Sequence, residues 1–164
     1  MNEKMKETGD EQESVWDYPR PPKIEPVKQA IKIEFSGAVI AESSNAKRVL
    51  ERGHPPVYYL PLEDINAKVL RVSTRRTWCE WKGEASYYDI VVGDAVSQNA
   101  AWFYPNPSPD FNDIKDNVAF YAGKMEACYV GDELVEPQAG DFYGGWITSN
   151  IEGPFKGSSR KRMR

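Results

Sequence analysis

The stretch IKIEFSGAVIA, Ile31 to Ala41, sets the fold class. Ile31, Ile33 and Phe35 alternate with Lys32 and Glu34, and this period of two puts every second side chain on one face of a half-buried strand. Ser36-Gly37 is a hairpin turn signal, and Ala38 to Ala41 reads as the returning strand.

The same grammar continues outward. VYYLPLED gives a short strand ending at Pro61, and Ala67 to Val72 offers another. Thr77 to Trp81 and Glu84 to Val92 flank a turn at Lys82-Gly83, and Gly93-Asp94 leads into a strand over Val96 to Tyr104. Beyond the proline-rich loop PNPSPDFND, Val118 to Tyr121 and Met125 to Val130 read as a late strand pair. One short helical turn is expected over Ala46 to Arg52, capped by Ser44 or Asn45 and stopped by Gly53 and Pro55-Pro56. Closely spaced strand signals with little helix and no repeat predict a mainly β protein: a single small antiparallel β sandwich or barrel.

The domain is expected over residues 14–157, after a disordered polar leader (1–13) and before a basic tail (158–164). Residues 14–26 form a proline-rich arm, in which Pro19, Pro21, Pro22 and Pro26 oppose helix and central strand. Because the arm carries Val15, Trp16 and Tyr18, it is expected to lie against the domain and cover a sheet edge. Near the other end, GDFYGGWITSNIEGPFKG reads as loop that packs Phe142, Tyr143, Trp146 and Phe155.

At 164 residues the chain can bury one real core, and no window approaches the ~20 apolar residues a membrane helix needs. The polar N-terminus lacks the apolar segment of a secretory signal, which points to the cytoplasm. There Cys79 and Cys128 would be reduced thiols, a single bridge between them being the alternative. The net charge of −4 argues against nucleic acid as the main partner, because backbone binding needs clustered positive charge. The exception is the tail RKRMR, Arg160 to Arg164, which reads first as a solvated terminus.

Common catalytic motifs are missing: there is no phosphate-binding glycine loop, no H-E-x-x-H and no G-x-S-x-G. His54 is the only histidine, so multi-histidine metal sites are ruled out. Asp110, Asp113 and Asp116 recur every third residue and could share a helical turn around a hard cation, but acids at a helix start also answer its dipole without a metal. No metal and no cofactor are called for.

The stretch WCEWKGEASYYD, Trp78 to Asp89, concentrates the remaining chemistry. Cys79 to Gly83 keeps the spacing of a C-x-x-C-G zinc knuckle, with Lys82 where the second thiolate would stand; an ammonium donates and does not ligate. Lysine beside a thiol would favour the nucleophilic thiolate, yet alternation puts Cys79 and Trp81 on one face and Trp78 and Glu80 on the other, so a buried structural thiol is the simpler expectation. His54 lies in a loop entering a strand, where a neutral imidazole could serve as acid or base.

Taken in order, WDYPRPP, GHPPVYYLPLED, CEWKGEASYYD, NAAWFYPNP, VAFY and FYGGWITSNIEGPFKG resemble the domain of unknown function 427 family over about residues 14–157. The family's usual C-P-W-K-G stands here as Cys79-Glu80-Trp81-Lys82-Gly83, with Glu80 in place of proline and the Lys82-Gly83 turn intact. The resemblance implies a small mainly β domain, similar to tent-like β sandwiches that elsewhere carry two zinc knuckles. It also brings a nucleotidyltransferase label. That chemistry would call for a Gly-Ser turn followed by paired aspartates, and Gly157-Ser158 is followed by no aspartate in this chain.

The functional expectation is a small-molecule or partner-binding domain with a polar and aromatic cleft near the 78–88 hairpin, lined by Glu80, Lys82, Glu84, Tyr88, Tyr58 and Trp102. The alternative is an enzyme using Cys79 or His54 with Lys82 as electrostatic partner. Oligomeric state is left open.

Overall fold

The Ile31–Ala41 hairpin forms as its alternation dictates. In the computed structural model, which describes residues 12–139 and 143–156, β3 (Ile31–Phe35) pairs antiparallel with β4 (Ala38–Ser43). Ser36 and Gly37 take φ of 52° and 80°, the positive values of a two-residue turn whose twist matches its strands. β11 (Ala127–Val130) pairs with the other edge of β3, and β12 (Glu133–Leu134) pairs with β11, completing a four-stranded sheet.

The larger sheet has seven strands. Across it run β2 (Lys23–Pro26), β5 (Lys47–Leu50), β6 (Val57–Pro61), β10 (Asn117–Phe120), β9 (Ala95–Phe103), β8 (Gly83–Val92) and β7 (Leu70–Cys79), every neighbouring pair antiparallel. β2 and β7 are its edges, so the sheet is open and the architecture is a sandwich, not a closed barrel. Two small ribbons complete it: β1 (Glu13–Ser14) runs parallel to β15 (Ile151–Glu152), and β13 (Glu136–Pro137) antiparallel to β14 (Trp146–Ile147).

The two main sheets share one core. Ile31, Ile33, Ile40 and Cys128 meet Leu60, Ile90, Val118 and Phe120, all essentially without solvent contact. Each such aliphatic or aromatic side chain contributes about 1.5–3 kcal/mol through burial.

Several elements differ from the sequence expectation. Residues 46–52 hold strand β5 instead of a helical turn, because Lys47 to Val49 find backbone partners on β6 and the arm supplies β2 on the other side; tertiary pairing outweighs local propensity. Ala67–Val69 is a 3₁₀ turn capped by the Asn66 side chain. Leu70–Cys79 then runs as one strand, with a register shift between Val72 and Arg76, where two strands were expected. The expected late strand pair is also divided: β10 sits inside the large sheet while β11 belongs to the small one. Among the described residues all helical segments are short 3₁₀ turns.

The proline-rich arm covers the β5 edge as β2, ending at Pro26, where a missing N–H is tolerated. Val15, Tyr18, Leu50 and Ile151 form a small satellite core beneath it. Near the start of the described residues, Glu13 pairs with Ile151. Residues 1–11 of the leader, Phe142 and the basic tail lie outside the described residues. No helix among the described residues is long and apolar enough to cross a membrane.

Candidate functional site

Tyrosine doublets on central strands put one ring on each face of the large sheet, because neighbouring strand residues point in opposite directions. Tyr58 and Tyr88 face the sandwich core, and Tyr59 and Tyr87 face away from it. Trp102 and Tyr104 of the β9 segment join the latter side, with Ala119 and Tyr121 from the β10 segment. Trp102 meets Tyr59 edge-on (centroids 6.5 Å apart) and Tyr121 at a tilt (4.5 Å). Among the described residues this face is covered by loops and not by the four-stranded sheet.

One covering loop is the 3₁₀ segment Pro109–Ile114, which buries Phe111 and Ile114 against the rings. The loop before it also clamps the β7–β8 turn: the Ser108 amide donates to Lys82 O (3.1 Å), and the Ser108 hydroxyl donates to Trp81 O (2.5 Å). Gly83 takes φ of 104°, a value that glycine alone adopts easily. The turn thus folds Lys82 inward. Its side chain is only 8% exposed, with Nζ over the rings of Tyr104 (5.9 Å) and Phe111 (5.6 Å). Nζ donates to Cys79 Sγ at 3.5 Å.

A second covering segment comes from residues 138–146. Gln138 is buried and ties three stretches together: its Oε1 accepts from the Gly145 amide (3.0 Å), while its Nε2 donates to Lys156 O (3.2 Å) and faces His54 Nδ1 (3.4 Å). His54 Nδ1 therefore accepts, which places the neutral ring's proton on Nε2. Burial holds the His54 imidazole below its ordinary pKa, so it is neutral near pH 7. Tyr143 packs on it at 4.4 Å. Gly144, with φ of 74°, comes so close to Trp102 that a Cβ would collide with the indole.

Between these walls lies a cavity of about 360 Å³. Tyr59, Tyr87, Trp102 and Tyr104 form its aromatic side, and Cys79 and Lys82 sit at the β7–β8 turn. His54, Gln138 and Tyr143 are on the opposite rim. The charged lining groups are Arg20, Lys82 and Lys156 against Glu51 and Glu80, with Arg20 and Glu51 3.7 Å apart. Burial pushes the Tyr59 phenol well above its ordinary pKa, and burial followed by the neighbouring Tyr59 and Cys79 does the same to Tyr104. Both remain hydrogen-bond donors at neutral pH. Thr77 and Tyr87 share a hydroxyl hydrogen bond of 2.9 Å on the wall.

Of the residues singled out from sequence, His54, Cys79, Glu80, Lys82 and Trp102 all line this one cavity. Cys79 is half-buried and faces the cavity, where a sealed thiol was expected; Cys128 is the buried one, and both are free. Lys82, expected on the polar side of the hairpin with Glu80, is the buried member, and Glu80 is exposed. Three others lie elsewhere. Tyr58 stacks on Trp146 at 4.9 Å and Tyr88 on Phe103 at 4.5 Å, both on the sandwich side, and Glu84 is exposed opposite Trp78. Among the described residues no three His, Cys, Asp or Glu side chains come together as a metal site, and Asp110, Asp113 and Asp116 form no such group.

Tyr59, Tyr87, Tyr104 and Gln138 were missed in the sequence. The doublets VYYL and SYYD carried the signal for the first two, since each must send one ring to either face.

The model of a domain of unknown function (DUF427) matches residues 23–131. The chain belongs to that family. A comparison with curated proteins returns no match. The DUF427 match runs from β2 through β11 and so includes His54, Cys79, Lys82 and the aromatic wall. Arg20, Gln138, Tyr143 and Lys156, which close the cavity, lie outside the matched segment.

Proposed function

We propose that the protein binds a small planar molecule in the cleft between the β7–β8 turn and the His54 loop. The observation that carries this reading is the cavity itself: about 360 Å³, with aromatic rings on one side and charged and polar side chains along the rest of its lining. Its volume falls in the range of small-molecule sites, ~300–1,000 Å³, and such sites combine aromatic surface with placed polar anchors. Rigid rings offer stacking area at low entropic cost. The reading puts the protein in the cytoplasm, where its two free thiols stay reduced. It does not involve nucleic acid.

Thermal-shift measurements over a panel of aromatic and heteroaromatic metabolites test it, with Tyr87→Leu as the wall variant. A subset of flat compounds should stabilise the wild type, and the variant should lose most of that shift. A panel that stabilises neither protein, or both equally, sinks the proposal.

A second reading is favoured by one contact, Lys82 Nζ to Cys79 Sγ at 3.5 Å. An ammonium at that distance favours the thiolate, the nucleophilic form, and would equip the cleft for covalent chemistry. Iodoacetamide labelling of Cys79 across pH separates the two readings. Rapid labelling near neutral pH that slows in Lys82→Met supports the enzyme; slow labelling in both removes its nucleophile.

A further inference from the structure

Lys82 is an anomaly of charge. Lysine is almost never fully buried unless it is paired, yet among the described residues it forms no ion pair. Its Nζ has a thiol, a weak acceptor, and two ring faces. Neither supplies a full counter-charge, and Lys82 lines the cavity, where a ligand's anionic group could reach it. The carboxylates along the cavity do not serve: Glu51 sits beside Arg20, and Glu80 is exposed. A missing negative charge at the aromatic end of a cavity is what an anionic ligand would supply.

The chemistry of that anion can be narrowed. One buried ammonium balances one charge. Phosphate and diphosphate groups are held by several donors at once, through helix N-termini, backbone nests or guanidinium forks. Here Arg20 is engaged with Glu51, and Lys156 is exposed at the rim. The hydroxyls of Tyr59 and Tyr104 are hydrogen-bonded within the wall, to Trp102, to each other and to Cys79, which leaves the Lys82 ammonium to hold a single carboxylate. The walls favour a flat ring, and about 360 Å³ suits a one- or two-ring body.

We infer that the ligand of this cleft is a small planar monocarboxylic acid, its ring against Tyr59, Tyr87 and Trp102 and its carboxylate on the Lys82 ammonium. The inference rests on the binding reading above and adds the ligand's charge to it. The ligand carboxylate then serves as the counter-ion of Lys82, beside the Cys79 sulfur that accepts from Nζ.

The test uses paired probes that differ only in charge: benzoate against benzamide, and indole-3-acetate against indole-3-acetamide. They are titrated into the full chain and into Lys82→Met by calorimetry, with thermal melts confirming that the variant is folded. At least one acid should bind wild type about tenfold or more tightly than its amide, since a desolvated charge pair is lost with the amide. In Lys82→Met that preference should vanish while amide affinity stays within about twofold. The comparison of acid with amide on wild type decides the matter even if the variant fails to fold. Equal binding of acid and amide overturns the charge inference and leaves the planar-ligand reading standing. No binding of any probe overturns both. A preference for the amide likewise overturns the charge inference. An acid preference that survives in Lys82→Met removes Lys82 from the recognition.

Discussion

On β6, Tyr58 and Leu60 point toward the four-stranded sheet, and Val57 and Tyr59 point toward the cavity. β9 divides in the same way: Ala101 and Phe103 belong to the sandwich side, Trp102 to the other. Two faces of one sheet therefore share strands, register and twist but differ in what covers them. A second sheet meets the first over its central strands and its β7–β8 side, so branched aliphatics and small residues interdigitate at close-packed density. Loops cover the other face only in places. Rigid rings there leave a gap because no regular element fills it, and the gap is the cleft. The proposed binding site thus lies where covering is incomplete.

Truncation on the two faces should separate them most clearly. Phe120 is fully buried between the sheets, and its backbone carbonyl accepts from Trp146 Nε1 at 2.9 Å. Phe120→Ala should cost about 3–5 kcal/mol, the range for a large aromatic removed from a core that cannot collapse. Tyr87→Leu, beside the cavity, should cost about 1–2 kcal/mol, because its ring already borders open space. Urea unfolding of both variants measures the difference. Equal costs would mean that the aromatic face is packed as tightly as the sandwich core.

The loop cover comes next in size. Gly144 combines φ of 74° with close approach to Trp102 and Tyr121. Gly144→Ala should lose about 1–3 kcal/mol through overpacking and an unfavourable backbone conformation. Ligand-induced stabilisation should drop as well, because the displaced indole lines the cavity. Gly37→Ala is the control, since a Cβ there meets nothing within 4 Å although φ is 80°. If both variants lose the same stability and neither affects ligand response, the close approach at Gly144 has no bearing on the cleft.

The sandwich face was readable in the sequence and the cleft only in fragments, for the same reason. Alternation in IKIEF and the turn at Ser36-Gly37 are local signals, and local physics set them. The doublets in VYYL and SYYD likewise announced two occupied faces, although sequence spacing alone did not say that Tyr59 and Tyr87, and not Tyr58 and Tyr88, face the cavity. The burial of Lys82 depends on Ser108 and Phe111, more than twenty residues along the chain, which fold over the turn from outside. Gln138 reaches His54, and Lys156 bonds Gln138 and the neighbouring Gly53, from far along the chain. Contacts of this kind arise from chain closure, and no residue pattern near Lys82 or His54 encodes them. The strand β5 was missed on the same grounds, since its partners β2 and β6 come from either side of it in the chain.

The smallest effect concerns His54, whose burial ties the loop cover to pH. Burial lowers its folded pKa below the ordinary 6.5, so the unfolded chain binds more protons than the folded one as pH falls through that region. Stability must then decline on acidification and level off only below the folded value, where both states are protonated. Protonation would also place a charge beside the Gln138 amide, which donates to Nδ1 and could no longer do so. Melting temperatures between about pH 7.5 and 5.5 should therefore fall more steeply for wild type than for His54→Asn, whose amide oxygen can accept in place of Nδ1 without titrating. The sandwich core holds no such group among the described residues, so core variants such as Phe120→Ala should be offset from wild type and run parallel to it across this range. Parallel curves for wild type and His54→Asn would show that the rim is solvated enough for His54 to titrate freely. The contrast between a sealed face and a loop-covered one would then hold for packing and fail for electrostatics.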